Sequence, residues 1–193
     1  SLTVNNGTLT GILKNEFINN INITNAVFNN LQIYNRGKIN INNITKNTNG
    51  ASSIINYREL TITGGNYTGN ISNDENGILT FGELDGNIST SNPIINGTVS
   101  NDGTFNYYDG KIISDTPFKG TITNTEPGYR LSINDDTENN TKYAILIPIS
   151  DDERVAVVNG INYADLQTAI NSVKDNVESN VVIYKDIELT EDI

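Results

Sequence analysis

The sequence predicts an all-β fold, a single-stranded right-handed parallel β-helix followed by a small α+β segment. Three observations predict it. Short apolar-polar-apolar triplets recur along the chain. Asn- and Gly-containing turn signals punctuate the gaps between them. The composition then changes after residue 150. The helix is assigned to residues 1–150 and the α+β segment to residues 151–193.

The triplets are Leu2-Thr3-Val4, Ile21-Asn22-Ile23, Ile39-Asn40-Ile41, Leu60-Thr61-Ile62, Leu79-Thr80-Phe81 and Phe105-Asn106-Tyr107. A seventh candidate is Leu131-Ser132-Ile133. Their starts are separated by about 18 to 26 residues, the length of one coil of a β-solenoid. Period-2 alternation puts Leu60 and Ile62 on one face and Thr61 and Thr63 on the other. A strand this short cannot bury an apolar face alone, and stacked coils bury it collectively. The expected inward set is Leu2, Val4, Ile21, Ile23, Ile39, Ile41, Leu60, Ile62, Leu79, Phe81, Phe105 and Tyr107.

Between triplets lie Asn35-Arg36-Gly37, Gly64-Gly65, Asn76-Gly77, Asn101-Asp102-Gly103, Asp109-Gly110 and Pro127-Gly128. Asn and Gly tolerate positive φ, so these are expected corners. A β-sandwich also has frequent turns, and it is the structural rival. Its strands need not repeat one motif at coil spacing. The chain carries 34 asparagines among its 193 residues. Inward Asn at corners can form ladders that satisfy backbone groups, and outward Asn forms a solvated face.

Past Ile145–Ser150, with its Pro148, the charged run Asp151-Asp152-Glu153-Arg154 reads as a linker. Val155–Tyr163 reads as a hairpin on the Asn159-Gly160 turn. Leu166, Ala169, Ile170 and Val173 fall on one face of a helix. Val181-Val182-Ile183-Tyr184 reads as a buried strand, with Ile187 and Leu189 continuing the alternation.

Two stretches carry a family resemblance. One is Tyr163-Ala164-Asp165-Leu166-Gln167-Thr168-Ala169-Ile170 with Val181–Ile187, and the other is the rungs of the Leu60–Gly65 type. They resemble right-handed β-helix modules of large bacterial surface proteins in the pectate-lyase-like superfamily. The resemblance implies that residues 155–193 form a cap opening a second module, and that neighbouring modules of a longer chain are partners. It also implies a secreted or cell-surface location. Ser1 in place of an initiator Met fits a piece of a longer protein.

Composition excludes several chemistries. No Cys or His is present, so a disulfide framework, a thiolate metal site and a Ser-His-Asp triad are all ruled out within the chain. The net charge of −11 argues against nucleic acid and anionic membranes, and no apolar run is long enough for membrane insertion. The charge is uneven: residues 1–100 hold six acids and five bases, and residues 101–193 hold seventeen and seven.

Carboxylates are weighed because many members of the resembled superfamily act on polysaccharides, and glycosidases need paired acids. Asp74, Glu75, Glu83 and Asp85 lie near one pair of rungs, and Asp102, Asp109 and Asp115 near the next. Most occupy turn signals, where Asp makes local hydrogen bonds. Arg36, Arg58 and Arg130 have no acidic cluster beside them in sequence. Asp135-Asp136-Thr137-Glu138 and Asp151-Asp152-Glu153 could hold Ca²⁺ between modules, yet neither matches an EF-hand or a Gly-rich Ca²⁺ repeat. No catalytic, cofactor-binding or metal residue is therefore assigned. The outward row Thr3, Asn22, Asn40, Thr61, Thr80, Asn106 and Ser132 could meet a polymer, with Tyr107 and Tyr108 as the nearest aromatics. The expected role is a non-catalytic structural or adhesive module that contacts a glycan or a host surface protein. The alternative is a fragment of a polysaccharide lyase or glycoside hydrolase.

Overall fold

The computed structural model describes residues 1–16, 19–45, 52–175 and 177–186. It is a parallel β-solenoid of about six turns, with a small helix and a small sheet near the C-terminus. By contacts the chain divides into two compact units. One comprises Ser1–Glu126 and Leu131–Leu146, and the other Pro127–Arg130 and Ile147–Ile193.

The triplets form one seven-stranded sheet. Its members, in spatial and chain order, are β1 (Leu2–Asn5), β3 (Asn20–Thr24), β5 (Lys38–Asn42), β7 (Glu59–Ile62), β9 (Ile78–Phe81), β12 (Thr104–Tyr107) and β15 (Asn124–Thr125). The pairing is parallel and in register, so Ile21, Ile39, Leu60, Leu79 and Phe105 stack in one inward row. Ile23, Ile41, Ile62, Phe81 and Tyr107 form the next. All ten are buried. Leu2 is the exception at 49% exposed, and Val4 is half-buried. β1 is an edge strand with a partner on one side only, so its side chains lack a neighbouring coil.

The remaining solenoid strands wrap the other faces. They are β2 (Thr8–Asn15), β4 (Val27–Asn35), β6 (Ser52–Asn56), β8 (Asn66–Asn73), β10 (Ile94–Asn96), β11 (Val99–Asn101), β13 (Lys111–Ser114) and β14 (Phe118–Gly120). β8 turns a corner: Asn66–Thr68 pair with β10, whereas Ile71–Asn73 pair with β11. Gly69 marks the bend at φ 144°, and a Cβ there would sit 1.8 Å from Ser52 O. Asn30 takes a positive φ in β4, at the register shift against Thr10 and Gly11 of β2.

Two classes of corner emerge. Asn6, Asn25 and Asn43 adopt positive φ after successive triplet strands. Asn15, Asn35, Asn56, Asn73 and Asn101 instead point inward and are buried. Each of the first four donates its amide to the next Oδ1, at 2.9, 2.8, 2.6 and 2.6 Å in turn, and Asn101 donates to Gly103 O and Thr121 O. They also donate to backbone carbonyls such as Glu59 O and Ile78 O. The glycines of these turn signals serve space rather than φ. A Cβ on Gly77 would lie 2.3 Å from Asn73 Oδ1, and one on Gly103 2.3 Å from Asp74 O.

The core changes character along the stack. Within the triplet sheet the inward residues are aliphatic in the earlier coils and include Phe81, Phe105 and Tyr107 in the later ones, while Phe28 and Tyr67 form a T-shaped pair at 6.1 Å elsewhere in the core. Phe105 stacks on Tyr107 at 5.6 Å, Phe81 meets Tyr107 at 5.3 Å, and Phe105 meets Phe118 at 5.4 Å. Burial raises the Tyr107 phenol above its ordinary range, and its hydroxyl lies 2.9 Å from the carbonyl oxygens of both Gly110 and Ala144.

The expected seventh rung is corrected. Leu131–Ile133 belong to β16 (Tyr129–Asp136), which pairs with β17 (Thr141–Pro148). Asn124 takes the next place in the stack, in register with Asn106. The parallel winding ends where β17 runs antiparallel to β13, and Ile133, on the terminal strand β16 of that sheet, is 49% exposed.

In the second unit, β18 (Ala156–Val158) and β19 (Ile161–Tyr163) form the expected hairpin, with positive φ at Asn159 and Gly160. The helix α1 (Leu166–Asn171) is capped by Asp165, which accepts from Thr168 N–H at 2.7 Å. Ala156, Val158, Tyr163 and Ala169 form a small core. Val173 lies beyond the helix end and is exposed. The strand β20 (Val181–Ile183) pairs with β18, but it is an edge strand and not a buried one: Val181, Val182, Ile183 and Tyr184 are all exposed. Ile187 and Leu189 lie outside the described residues.

Candidate functional site

Several coils pass from the triplet sheet to the next face through two or three residues, such as Asn25-Ala26 between β3 and β4 and residues 63–65 between β7 and β8. The passage after β9 is longer. After β9 the chain leaves at Gly82, whose N–H donates to Ile62 O at 2.9 Å, and rejoins the stack at β10 after Pro93. The intervening excursion is held by its neighbours. Asp109 Oδ1 accepts from Ser89 N–H and Gly110 N–H, each at 2.6 Å, and Asn92 Oδ1 accepts from Gly65 N–H at 2.7 Å.

This excursion brings three acids into mutual influence. Glu126, just after β15, is only 6% exposed and accepts from the Gly86 N–H, while its Oε2 has no partner. Burial pushes the Glu126 carboxyl above its ordinary range, and the charges of Asp85 and Asp109 push the same way. Burial also raises Asp109, partly offset by the two N–H groups it accepts. Tyr108 is raised by burial and by Glu126. Chemically this is a buried carboxyl with one unpartnered oxygen, raised above its ordinary range under the influence of two further carboxylates.

The other acids disperse. Glu83 and Asp102 are exposed, and Glu75 accepts from its neighbour Asn76 at 3.4 Å. Asp115, Asp135 and Asp136 line an open cleft of about 450 Å³, with Asp135 paired to Lys142 at 3.9 Å. In the second unit Asp151 pairs with Arg154 at 2.5 Å, and Glu153 contacts Arg130. The Arg130 hydrogen bond, reinforced by Ser150, lowers the Glu153 carboxyl to about 2. Among the described residues, no group of three or more Asp, Glu, His or Cys is arranged to hold a metal ion.

The outward row of the triplet sheet is a hydrogen-bonded ladder in its own right. Asn40 donates to Asn22 at 2.9 Å, Asn124 to Asn106 at 2.8 Å, and Asn106 to Thr80 Oγ1 at 3.3 Å. Its last member is Asn124 and not Ser132. These amides satisfy one another, which leaves fewer donors for a ligand.

Sequence reasoning missed two features. Glu126 sits in Thr125-Glu126-Pro127 and looks like turn chemistry. A second cleft, of about 310 Å³, is lined by Ile12, Lys14, Glu16, Tyr34, Arg36 and Tyr57. Aligning coils on the buried Asn would have found it, since Lys14 and Tyr34 immediately precede Asn15 and Asn35 and Tyr57 follows Asn56. No protein-family model, no curated protein and no solved structure matches the chain.

Proposed function

We propose that this chain is a non-catalytic structural or adhesive module of a secreted or surface-attached bacterial protein, presenting its outer faces to a glycan or host surface. The observation that carries the reading is the buried Asn row. It ties five successive coils together through buried side-chain hydrogen bonds. Interlocked coils make a stiff spacer, and stacked repeats offer extended outer faces for contact. Exposing intact cells of the source to an external protease tests the location: loss of the protein supports the reading, and full protection until lysis overturns it.

A polysaccharide-active enzyme is the second reading, and the raised carboxyl of Glu126 beside Asp85 and Asp109 favours it. Incubating purified protein with polyuronates and neutral glycans decides between the two. New reducing ends or unsaturated products, abolished by Glu126→Gln, would establish catalysis at this site. Polymers left intact over long incubation support the non-catalytic module.

A further inference from the structure

The middle of the Gly82–Pro93 excursion lies over a carboxyl. Residues 83–87 are exposed, whereas Glu126, which accepts from the Gly86 N–H, is only 6% exposed. Both ends of the excursion are fixed. Gly82 packs so closely that a Cβ there would sit 2.4 Å from Asp109 N, and Asn92 Oδ1 accepts from Gly65 N–H at 2.7 Å. Ser89 is tied twice to the next coil, through its N–H to Asp109 Oδ1 and through its carbonyl to Gly110 N–H at 3.0 Å. Between Gly82 and Ser89 stands a turn at Gly86, φ 79°, with Asp85 Oδ1 accepting from Asn87 N–H at 2.9 Å. Glu126 ties this turn to the solenoid.

The tie suits a neutral carboxyl better than an ionised one. One Glu126 oxygen has the Gly86 N–H, but Oε2 is buried without a partner. An ionised carboxylate needs donors at both oxygens, and a buried acceptor left unmet is costly. The groups that face it add to the cost. Asp85 reaches it from the excursion and Asp109 from the coil after β12, both with the same sign of charge, and the Tyr108 phenol adjoins them. Protonation removes the charge and turns one carboxyl oxygen into a donor. Above Glu126 the turn is free to give way: a Cβ on Gly86 would meet nothing within 4 Å.

We propose that Glu126 is a proton-operated latch on the excursion. Protonated, it holds the Gly86 turn down; ionised beside Asp85 and Asp109, it lets that turn lift while Gly82 and Asn92 stay anchored. The Glu126 carboxyl is raised while the turn is closed and returns to its ordinary range once water reaches it. The closed form therefore holds the proton more tightly. It is fully favoured below the ordinary carboxylate pKa and loses ground as pH rises through the raised one. The latch is independent of whether the chain is a surface module or an enzyme, since it needs only the turn and its carboxyl.

NMR of the isotope-labelled whole chain tests it, following the Glu126 side-chain carboxyl and the hydrogen-exchange protection of the Gly86 amide between about pH 4 and about pH 8. Protection, corrected for the intrinsic pH dependence of exchange, should fall about tenfold per pH unit between the ordinary and the raised carboxylate pKa. The Gly82 amide, bonded to Ile62 O, should stay protected throughout. Glu126→Gln keeps an acceptor for Gly86 without a titrating group, and should make the Gly86 profile flat. Asp85→Asn removes one repelling charge and should move the Glu126 midpoint to lower pH. Asp102→Asn, an exposed acid outside the cluster, should match the wild type. A Glu126 carboxyl titrating in the ordinary range, a wild-type Gly86 protection that ignores pH, or a pH response kept by Glu126→Gln would each overturn the latch. Should Glu126→Gln not fold, the wild-type titration and exchange profile decide by themselves.

Discussion

Two rows of asparagine run along the solenoid and make the same amide-to-amide hydrogen bond, one inside and one outside. The inner row, Asn15 to Asn101, is almost fully buried, and its amides also satisfy backbone carbonyls. The outer row, typified by Asn22 and Asn40, is half-exposed. Inside, an unmade hydrogen bond costs the full desolvation of the group, while outside water replaces the partner. The same bond therefore locks coils together in one place and is nearly neutral in the other.

The largest expected effect comes from placing a charge in the inner row. Asn56→Asp sets a carboxylate against Asn73 Oδ1 and Ile78 O, which the native amide approaches to 2.6 and 3.0 Å. The loss should be about 4 kcal/mol or more, read by denaturant unfolding. Burial would raise the new carboxyl's pKa in the folded state. Stability should then recover as pH falls, because the folded form takes up the proton first. A loss below about 1 kcal/mol would show that water reaches the row.

Next is Asn56→Leu, which removes the donors without adding charge. It deprives Asn73 Oδ1 and Ile78 O of this donor and the Asn35 amide of its Oδ1 acceptor, and should cost about 2–3 kcal/mol. A smaller loss than for Asn56→Asp separates the missing bonds from the buried charge.

Glu126→Gln sharpens the contrast from the other direction. Burial and the neighbouring acids raise the Glu126 carboxyl, so its ionisation opposes folding. That penalty is complete above the raised folded pKa and vanishes below the ordinary carboxylate pKa. The variant should raise the melting temperature by a few degrees at neutral pH, with the gain shrinking on acidification. A melting temperature lowered at every pH would mean that Glu126 is held by a contact the carboxamide cannot make.

The smallest effect is expected for Asn40→Asp, the outer counterpart of Asn56→Asp. Water solvates the new charge, and the change should stay within about 0.5–1 kcal/mol. Equal losses at Asn40 and Asn56 would erase the distinction between the rows.

The triplets were legible because apolar side chains on a strand announce their face by alternation, and register then placed ten of the twelve expected inward residues in the core. Leu2 and Val4 carry the same pattern yet lie at an edge, since a triplet does not say whether a neighbour stacks on both sides. The same ambiguity explains Val181–Ile183, whose apolar run pairs on one edge only among the described residues. Leu131-Ser132-Ile133 has the right letters but the wrong partner, because alternation is shared by parallel and antiparallel strands. Asn hides its role most thoroughly. Inward Asn ladders are expected as a class, yet which Asn turns inward is harder to see: Asn35, Asn56 and Asn101 stand four residues before a triplet, whereas Asn15 and Asn73 stand six before Ile21 and Leu79. Asp85, Asp109 and Glu126 are distant in sequence, so their convergence becomes visible only through the path of the coils.

The excursion between Gly82 and Pro93 has a consequence for engineering. The stack keeps its register across it, with Phe81 and Ile62 paired below and Tyr67 and Ile95 paired above. Added length is thus absorbed outside the ladder, at a point anchored on both sides by Gly82 N–H and Asn92 Oδ1. A foreign peptide spliced between these anchors should be displayed at a fixed position while the coils beneath remain wound, which makes this corner a natural grafting port.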